Sequence, residues 1–178
     1  MSQTLIAPAK AAPRDADLAF EELYRSSRDD VYAYVAGLLR DRSAAEDVTA
    51  AAFERAYRKR SKYDPSRGEP RAWIFGIARN AALDELRRRG RQAEMTSEPV
   101  DDMHPSPEDL ADRGIRRSII AAAFERLTPG ERELIALKFF AGLSNAEIAA
   151  VIGASESNAG TKLHRTVTKL RRACDETA

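Results

Sequence analysis

The chain has 178 residues, 43% of them hydrophobic, so one or two small domains with a real core can form. Its formal net charge of +1 excludes a polycation, and any affinity for nucleic acid has to come from local clustering of charge. One cysteine, Cys174, excludes an internal disulfide and a cysteine zinc cage and suits a reducing cytoplasm; no apolar run is long enough to cross a bilayer.

Residues 1–14 are rich in alanine and proline, lack the apolar stretch of a signal peptide and are expected to be disordered. From Asp15 the pattern is helical. Leu18, Phe20, Leu23 and Tyr24 form one apolar face, and Val31, Tyr34, Val35, Leu38 and Leu39 another, with 26–30 as a break between them. Ser43-Ala44-Ala45-Glu46 fits a capping box that opens a second helix, carrying Val48, Ala51, Ala52, Phe53, Ala56 and Tyr57. Glu46 and Asp47 then lie in an acidic first turn. Either they match the helix dipole or they meet a basic partner surface. The far end of that helix is basic, and Tyr63-Asp64-Pro65-Ser66-Arg67-Gly68 is turn chemistry.

A third helix is predicted from Pro70, which suits a first helical turn, to Gly90, which can stop it. Ile74, Ile77, Ala78, Ala81 and Leu86 give it an apolar stripe. Trp73, Asn80 and Arg87 lie seven apart and share a second stripe, and the helix ends in Arg87, Arg88, Arg89 and Arg91. Two readings fit: a core tryptophan with a solvated basic end, or a stacking ring with phosphate-binding arginines.

Residues 92–112 hold three prolines, no lysine or arginine and many acids, the composition of an extended linker. The acids serve as a solvated tether or mimic nucleic acid in a basic channel of a partner. His104 lies there without a second candidate metal ligand.

Helical periodicity resumes by Ile115 and runs to Leu127. Thr128-Pro129-Gly130-Glu131 is a second capping box, Gly142 ends that helix, and Ser144-Asn145-Ala146-Glu147 is a third box. Gly153-Ala154-Ser155 makes a tight turn into a last helix with Ala159, Leu163, Val167 and Leu170 inward. Ser157, Asn158, Thr161, Lys162, His164, Arg165 and Lys169 are left outward. Two helices, a glycine-bearing turn and a polar N-terminal half on the second describe a helix-turn-helix, whose second helix enters the DNA major groove. No stretch shows strand alternation, so the fold class is all-α. Both histidines are isolated, with no phosphate-cradling glycine loop and no metal-ligand cluster, so no enzyme, cofactor or metal is expected.

Two blocks of residues resemble a known family. One is Ala45-Glu46-Asp47-Val48-Thr49, Phe53, Ala56, Trp73-Ile74, Ile77-Ala78-Arg79-Asn80, Asp84 and Arg87-Arg88. The other is Leu127-Thr128-Pro129, Gly142-Leu143-Ser144, Glu147-Ile148-Ala149, Gly153, Ser155-Glu156, Leu163-His164-Arg165 and Lys169-Leu170-Arg171. Together they are similar to bacterial RNA polymerase sigma factors of the extracytoplasmic-function group. The resemblance implies a sigma region 2-like bundle at 15–91, a linker at 92–112 and a region 4-like helix-turn-helix at 113–174.

It further implies that Glu46, Asp47 and Glu54 dock on the clamp helices of the β′ subunit of core RNA polymerase, and that the second domain meets the β flap. Asp64, Ser66, Arg67, Trp73 and Asn80 would capture an unstacked base of the minus-ten element, with Arg79, Arg87 and Arg88 on phosphates. Ser157, Asn158, Thr161, Lys162, His164, Arg165 and Lys169 would read the minus-thirty-five element. Promoter DNA and an anti-sigma factor are the other implied partners, in the cytoplasm and without membrane insertion. Two departures stand out: Ala50 where the family often has glutamine, and Ala159-Gly160 where larger and basic residues are usual. The competing expectations are a polymerase-independent helix-turn-helix repressor and a sigma-like decoy that binds an anti-sigma factor.

Overall fold

The computed structural model describes residues 13–96 and 112–176. The expected disorder of residues 1–12 and most of the acidic linker, His104 included, lie outside the described residues.

Among the described residues every regular element is helical. Three long helices come first: α1 (Pro13–Leu39), α2 (Arg42–Lys59) and α3 (Pro70–Thr96). Two single 3-10 turns, Arg60–Lys62 and Pro65–Arg67, lie between α2 and α3. Then follow α4 (Asp112–Glu125), α5 (Pro129–Ile135), α6 (Asn145–Ile152) and α7 (Glu156–Asp175). The end of α5 widens into a π turn, Ala136–Phe140, closed by Ala141 N donating to the Ala136 carbonyl at 3.0 Å.

Several boundaries differ from the sequence expectation. Helix α1 begins at Pro13, so Pro13 and Arg14 are helical rather than disordered, and it runs unbroken through 26–30. Ser26 Oγ donates back to the Glu22 carbonyl, and Ser27 is buried. Val31, Tyr34 and Val35 just beyond are fully buried, so packing overrides the weak local propensity.

Helix α2 is capped by Asp41, not Ser43. Asp41 is extended (φ −145°, ψ 118°), and its carboxylate accepts from Ala44 N at 3.0 Å. Arg89 of α3 grips the same carboxylate at 2.8 Å, which serine could not reward. The helix therefore starts earlier, and Glu46 and Asp47 sit past its first turn rather than in it.

Helix α3 passes through Gly90, whose φ is not positive, and ends only at Thr96, so the linker starts later than residue 92. Glycine costs a helix about 0.5–1 kcal/mol relative to alanine. Arg88 and Arg89 both clasp Glu85 one turn back and help offset it.

The remaining punctuation is as read. Thr128 with Glu131 and Ser144 with Glu147 form full capping boxes, and Ser155 accepts from Asn158 N. Gly142 (φ 65°) and Gly153 (φ 69°) adopt the left-handed conformation that closes helices.

Helices α1–α3 pack as a bundle around Tyr34, Phe53, Ile74 and Phe75, with buried Ala45, Ala52, Ala56 and Ala78 letting the helices approach closely. In the second group, Leu137, Leu143, Ile148, Ala159 and Leu163 hold α5–α7 together. The two groups are docked on one another. Helix α6 lies on α3, the π turn lies on α1, and the apolar cluster is continuous across the seam.

Candidate nucleic-acid interface

The loop after α2 is shaped by its own polar atoms. Asp64 caps the second 3-10 turn, accepting from Ser66 N (2.9 Å) and Ser66 Oγ (2.7 Å). Tyr63 donates its hydroxyl to the Gly68 carbonyl at 2.8 Å, closing the loop over the start of α3. Burial first, then the nearby Glu69 and Asp64 carboxylates, push that phenol above its ordinary value, so it stays a donor.

This loop places the Tyr63 ring 5.3 Å from the half-buried Trp73 ring, tilted by 49°. Both rings, with Asp64 and the exposed Asn80, line a cleft of about 360 Å³. An aromatic wall beside an amide and a carboxylate can stack a base and bond its edge. Ser66 is exposed but does not line the cleft, and the side chain of Arg67 lies outside the described set. Tyr63 was missed as a site residue in the sequence, where it reads only as part of a turn.

The arginines of α3 divide. Arg87 and Arg88 are exposed and carry short-range partners, Asp84 (3.0 Å) and Glu85 (2.7 Å). Hydrogen bonds from Arg88, then Arg89, hold the Glu85 carboxyl down at about 2. The Arg87–Asp84 pair is exposed on both sides and weak, so Arg87 can exchange onto phosphate, whereas the Glu85 that holds Arg88 is only 13% exposed and gives that guanidinium a firmer partner. Arg79 is different: its Nε and Nη2 lie 2.5 and 3.2 Å from the two carboxylate oxygens of the buried Glu133, on α5.

Ser157, Asn158, Thr161, Lys162, His164, Arg165 and Lys169 are all exposed along α7. The opposite side of that helix buries Ala159, Leu163 and Thr166 against its neighbours, which fixes the helix about its axis. Thr161 Oγ1 spends its hydrogen on the Ser157 carbonyl, leaving its methyl and an oxygen lone pair outward. Arg126, His164, Arg165, Lys169 and Arg172 surround a basic recess of about 500 Å³. Lys169 lies 2.7 Å from Glu131, the same glutamate that closes the α5 capping box, so it is anchored at the base of the array.

On α2, Glu46, Asp47 and Glu54 are exposed. Asp47 and Glu54, seven apart, share one stripe, and Glu46 stands about 100° round from it. Glu54 pairs with Arg58 one turn on. Among the described residues no group of three His, Cys, Asp or Glu is placed to hold a metal ion, and no helix is long and apolar enough to cross a membrane.

Residues 23–92 match the family model described as Sigma-70 region 2, and residues 117–170 match the one described as Sigma-70, region 4. Over 177 residues the chain is 32% identical to the ECF RNA polymerase sigma factor BldN of Streptomyces coelicolor. That match takes in 98% of this chain but spans only 66% of the length of BldN. The ECF RNA polymerase sigma factor SigK of Mycolicibacterium vanbaalenii is 29% identical over 170 residues, covering 92% of this chain and 85% of SigK. Two solved structures share the fold. The sigma factor RpoE, in complex with the anti-sigma factor NepR from Bartonella quintana, aligns with a TM-score of 0.70 at 21% identity, over 88% of this chain and 97% of RpoE. CnrH, in complex with the cytosolic domain of CnrY, aligns with a TM-score of 0.67 at 23% identity, over 93% and 96%.

Proposed function

We propose that this chain, which belongs to the sigma-70 family of RNA polymerase sigma factors and to its extracytoplasmic-function group, gives core RNA polymerase its choice of promoter. The observation that carries the reading is one chain with two separate surface arrays whose chemistry suits DNA. One is the aromatic and amide cleft of Tyr63, Trp73 and Asn80; the other is the exposed polar face of α7.

The division of labour follows from the chemistry of each array. Helix α7 enters a duplex major groove at the minus-thirty-five element, with Ser157, Asn158, Thr161 and Lys162 near base edges and His164, Arg165 and Lys169 toward the backbone. The cleft on α3 takes a base that has left the stack in the minus-ten element. Unstacking costs a few kcal/mol, which ring stacking and pocket hydrogen bonds offset. Arg87 and Arg88 hold the adjoining phosphates. Glu46, Asp47 and Glu54 offer α2 to a basic surface of the polymerase clamp, and the second helix group meets the β flap. Once polymerase fixes both arrays, each raises the effective concentration of the other at the promoter. The chain works in the cytoplasm, on the nucleoid, and an anti-sigma factor covers its polymerase- and DNA-facing surfaces between signals.

In vitro transcription with purified core polymerase, followed by start-site mapping, tests the reading. The chain should confer a discrete set of starts that core alone lacks. Asn80→Ala should reduce promoter opening more than core binding; equal losses in both remove the base-capturing role from Asn80.

A further inference from the structure

The outward face of α7 is not uniformly basic. Lys162, Arg165 and Lys169 share one edge of it, whereas Glu156, Gly160 and His164 follow one another four apart along the other edge, beside α6. On that second edge lies an open recess of about 650 Å³, lined by Asn145, Glu156, Ser157, Gly160, Thr161 and His164. Gly160 leaves it unfilled: a Cβ built there meets only Asn145 Nδ2, at 3.5 Å. No lysine or arginine lines it, and among the described residues the exposed Glu156 carboxylate has neither an ion pair nor a hydrogen bond. Thr161 supplies none, because its hydroxyl hydrogen goes to the Ser157 carbonyl. The backbone under Glu156 is nevertheless fixed. Ser155 caps α7 by accepting from Asn158 N at 3.3 Å, and Gly153 sets the turn out of α6 in the left-handed conformation.

Glycine is what keeps the carboxylate free. A lysine or arginine at 160 would stand four residues after Glu156, the spacing and order in which acid and base pair best on a helix. The charge of the recess then selects its ligand. An uncompensated carboxylate repels phosphate and can bond only to a donor. In the major groove guanine shows two acceptors, adenine an acceptor beside its amine, and thymine an acceptor and a methyl group; cytosine alone shows a donor without an acceptor. We propose that Glu156, left unpaired by Gly160, is a specificity-determining residue that accepts from the N4 amine of a cytosine of the minus-thirty-five duplex, in the recess between α6 and α7. The proposal rests on the reading of α7 as the major-groove helix. The cations of the opposite edge attract the backbone, and the acid selects, mostly by rejection: any other base sets an acceptor against it. One helix thus separates attraction from discrimination on its two edges.

Holoenzyme assembled from the full chain and purified core polymerase, offered promoter duplexes randomised only across the minus-thirty-five element, tests this by sequencing the bound fraction. The parent should favour cytosine at one position by at least about fivefold over each other base. Glu156→Gln, whose amide also donates, should abolish that preference and leave the other positions as they were. Gly160→Lys should abolish it as well, by pairing with the carboxylate, while Gly160→Ala, which fills the same space without charge, should keep it. All three variants should retain the helical circular dichroism of the parent. A Glu156→Gln holoenzyme that selects the same cytosine overturns the proposal. So does a loss spread evenly over every position, because the acid then supports α7 rather than reading a base. Full preference in Gly160→Lys overturns the claim that glycine frees the carboxylate. A parent that enriches minus-thirty-five sequences without such a cytosine removes Glu156 from the readout. A parent that enriches none sinks the reading of α7 itself.

Discussion

Arg89, near the end of α3, donates from Nη2 to Oδ2 of Asp41, the residue that caps α2, at 2.8 Å. Its Nε holds Glu85 at the same distance. One side chain thereby ties the start of the helix that bears Glu46 and Asp47 to the helix that bears Trp73 and Asn80. The proposed polymerase-facing and base-capturing surfaces share a rigid mount.

That knot is sensitive to acid. The backbone amide of Ala44 first, and Arg89 next among the favourable contacts, hold the Asp41 carboxyl below its ordinary value, and Glu85 is held down at about 2. A carboxyl depressed in the folded state stabilises the fold above its unfolded value and loses that contribution as pH falls toward the folded one. Thermal melts should therefore drop between about pH 5 and about 2. Glu85→Gln should melt lower at neutral pH and fall less steeply in acid. An unchanged acid slope in that variant would take Glu85 out of the account.

Gly160 lies inside α7, and a Cβ built there meets only Asn145 Nδ2, at 3.5 Å, an ordinary contact. Alanine fits without strain and restores helix propensity. Gly160→Ala should stabilise the chain by about 0.5–1 kcal/mol, or about 1–4 °C in melting temperature by calorimetry. A lower melting temperature would mean that α6 and α7 need the closer approach that glycine permits.

Salt dependence separates the cations of α7. Each phosphate neutralised contributes about 0.9 to the slope of log affinity against log salt. Arg165 is exposed, whereas Lys169 is engaged with Glu131. Arg165→Ala should lower the slope for holoenzyme on promoter duplex by about 0.9, and Lys169→Ala by clearly less. Equal changes would show that Lys169 leaves Glu131 for DNA.

Charge reversal on α2 should act on polymerase and leave the fold alone. Glu46 and Asp47 are exposed and lie beyond the capped first turn, so Glu46→Lys with Asp47→Lys should shift stability by no more than about 0.5 kcal/mol each. Affinity for core polymerase, followed by competition with a labelled parent chain, should fall about tenfold, or about 1.4 kcal/mol. Undiminished competition would move the polymerase contact off this face.

Features encoded within one or two turns were legible in the sequence. The boxes at Thr128 and Ser144, the cap at Ser155 and the outward face of α7 each depend on residues three to seven apart. What escaped depends on residues far apart. Ser43 looks like the better cap until Arg89 is seen to favour Asp41, 48 positions before it. Glu133 carries no local signal in the sequence, yet it is buried, because Arg79, 54 positions away, and Tyr34 supply its partners. Tyr63 was hidden by the turn residues around it, although an aromatic just before Asp-Pro was the available signal.

The wide turn at Ala136–Phe140 has a rotational consequence. It winds in one more residue than an α-helical turn holds, and each residue sweeps about 100° around the axis. Excising a single position there would swing Phe140 off Gly37 and Lys138 away from the Leu143 carbonyl it now reaches at 3.2 Å. The angular setting of the second helix group against the first is thus stored in a residue count, as a gear stores phase in its teeth.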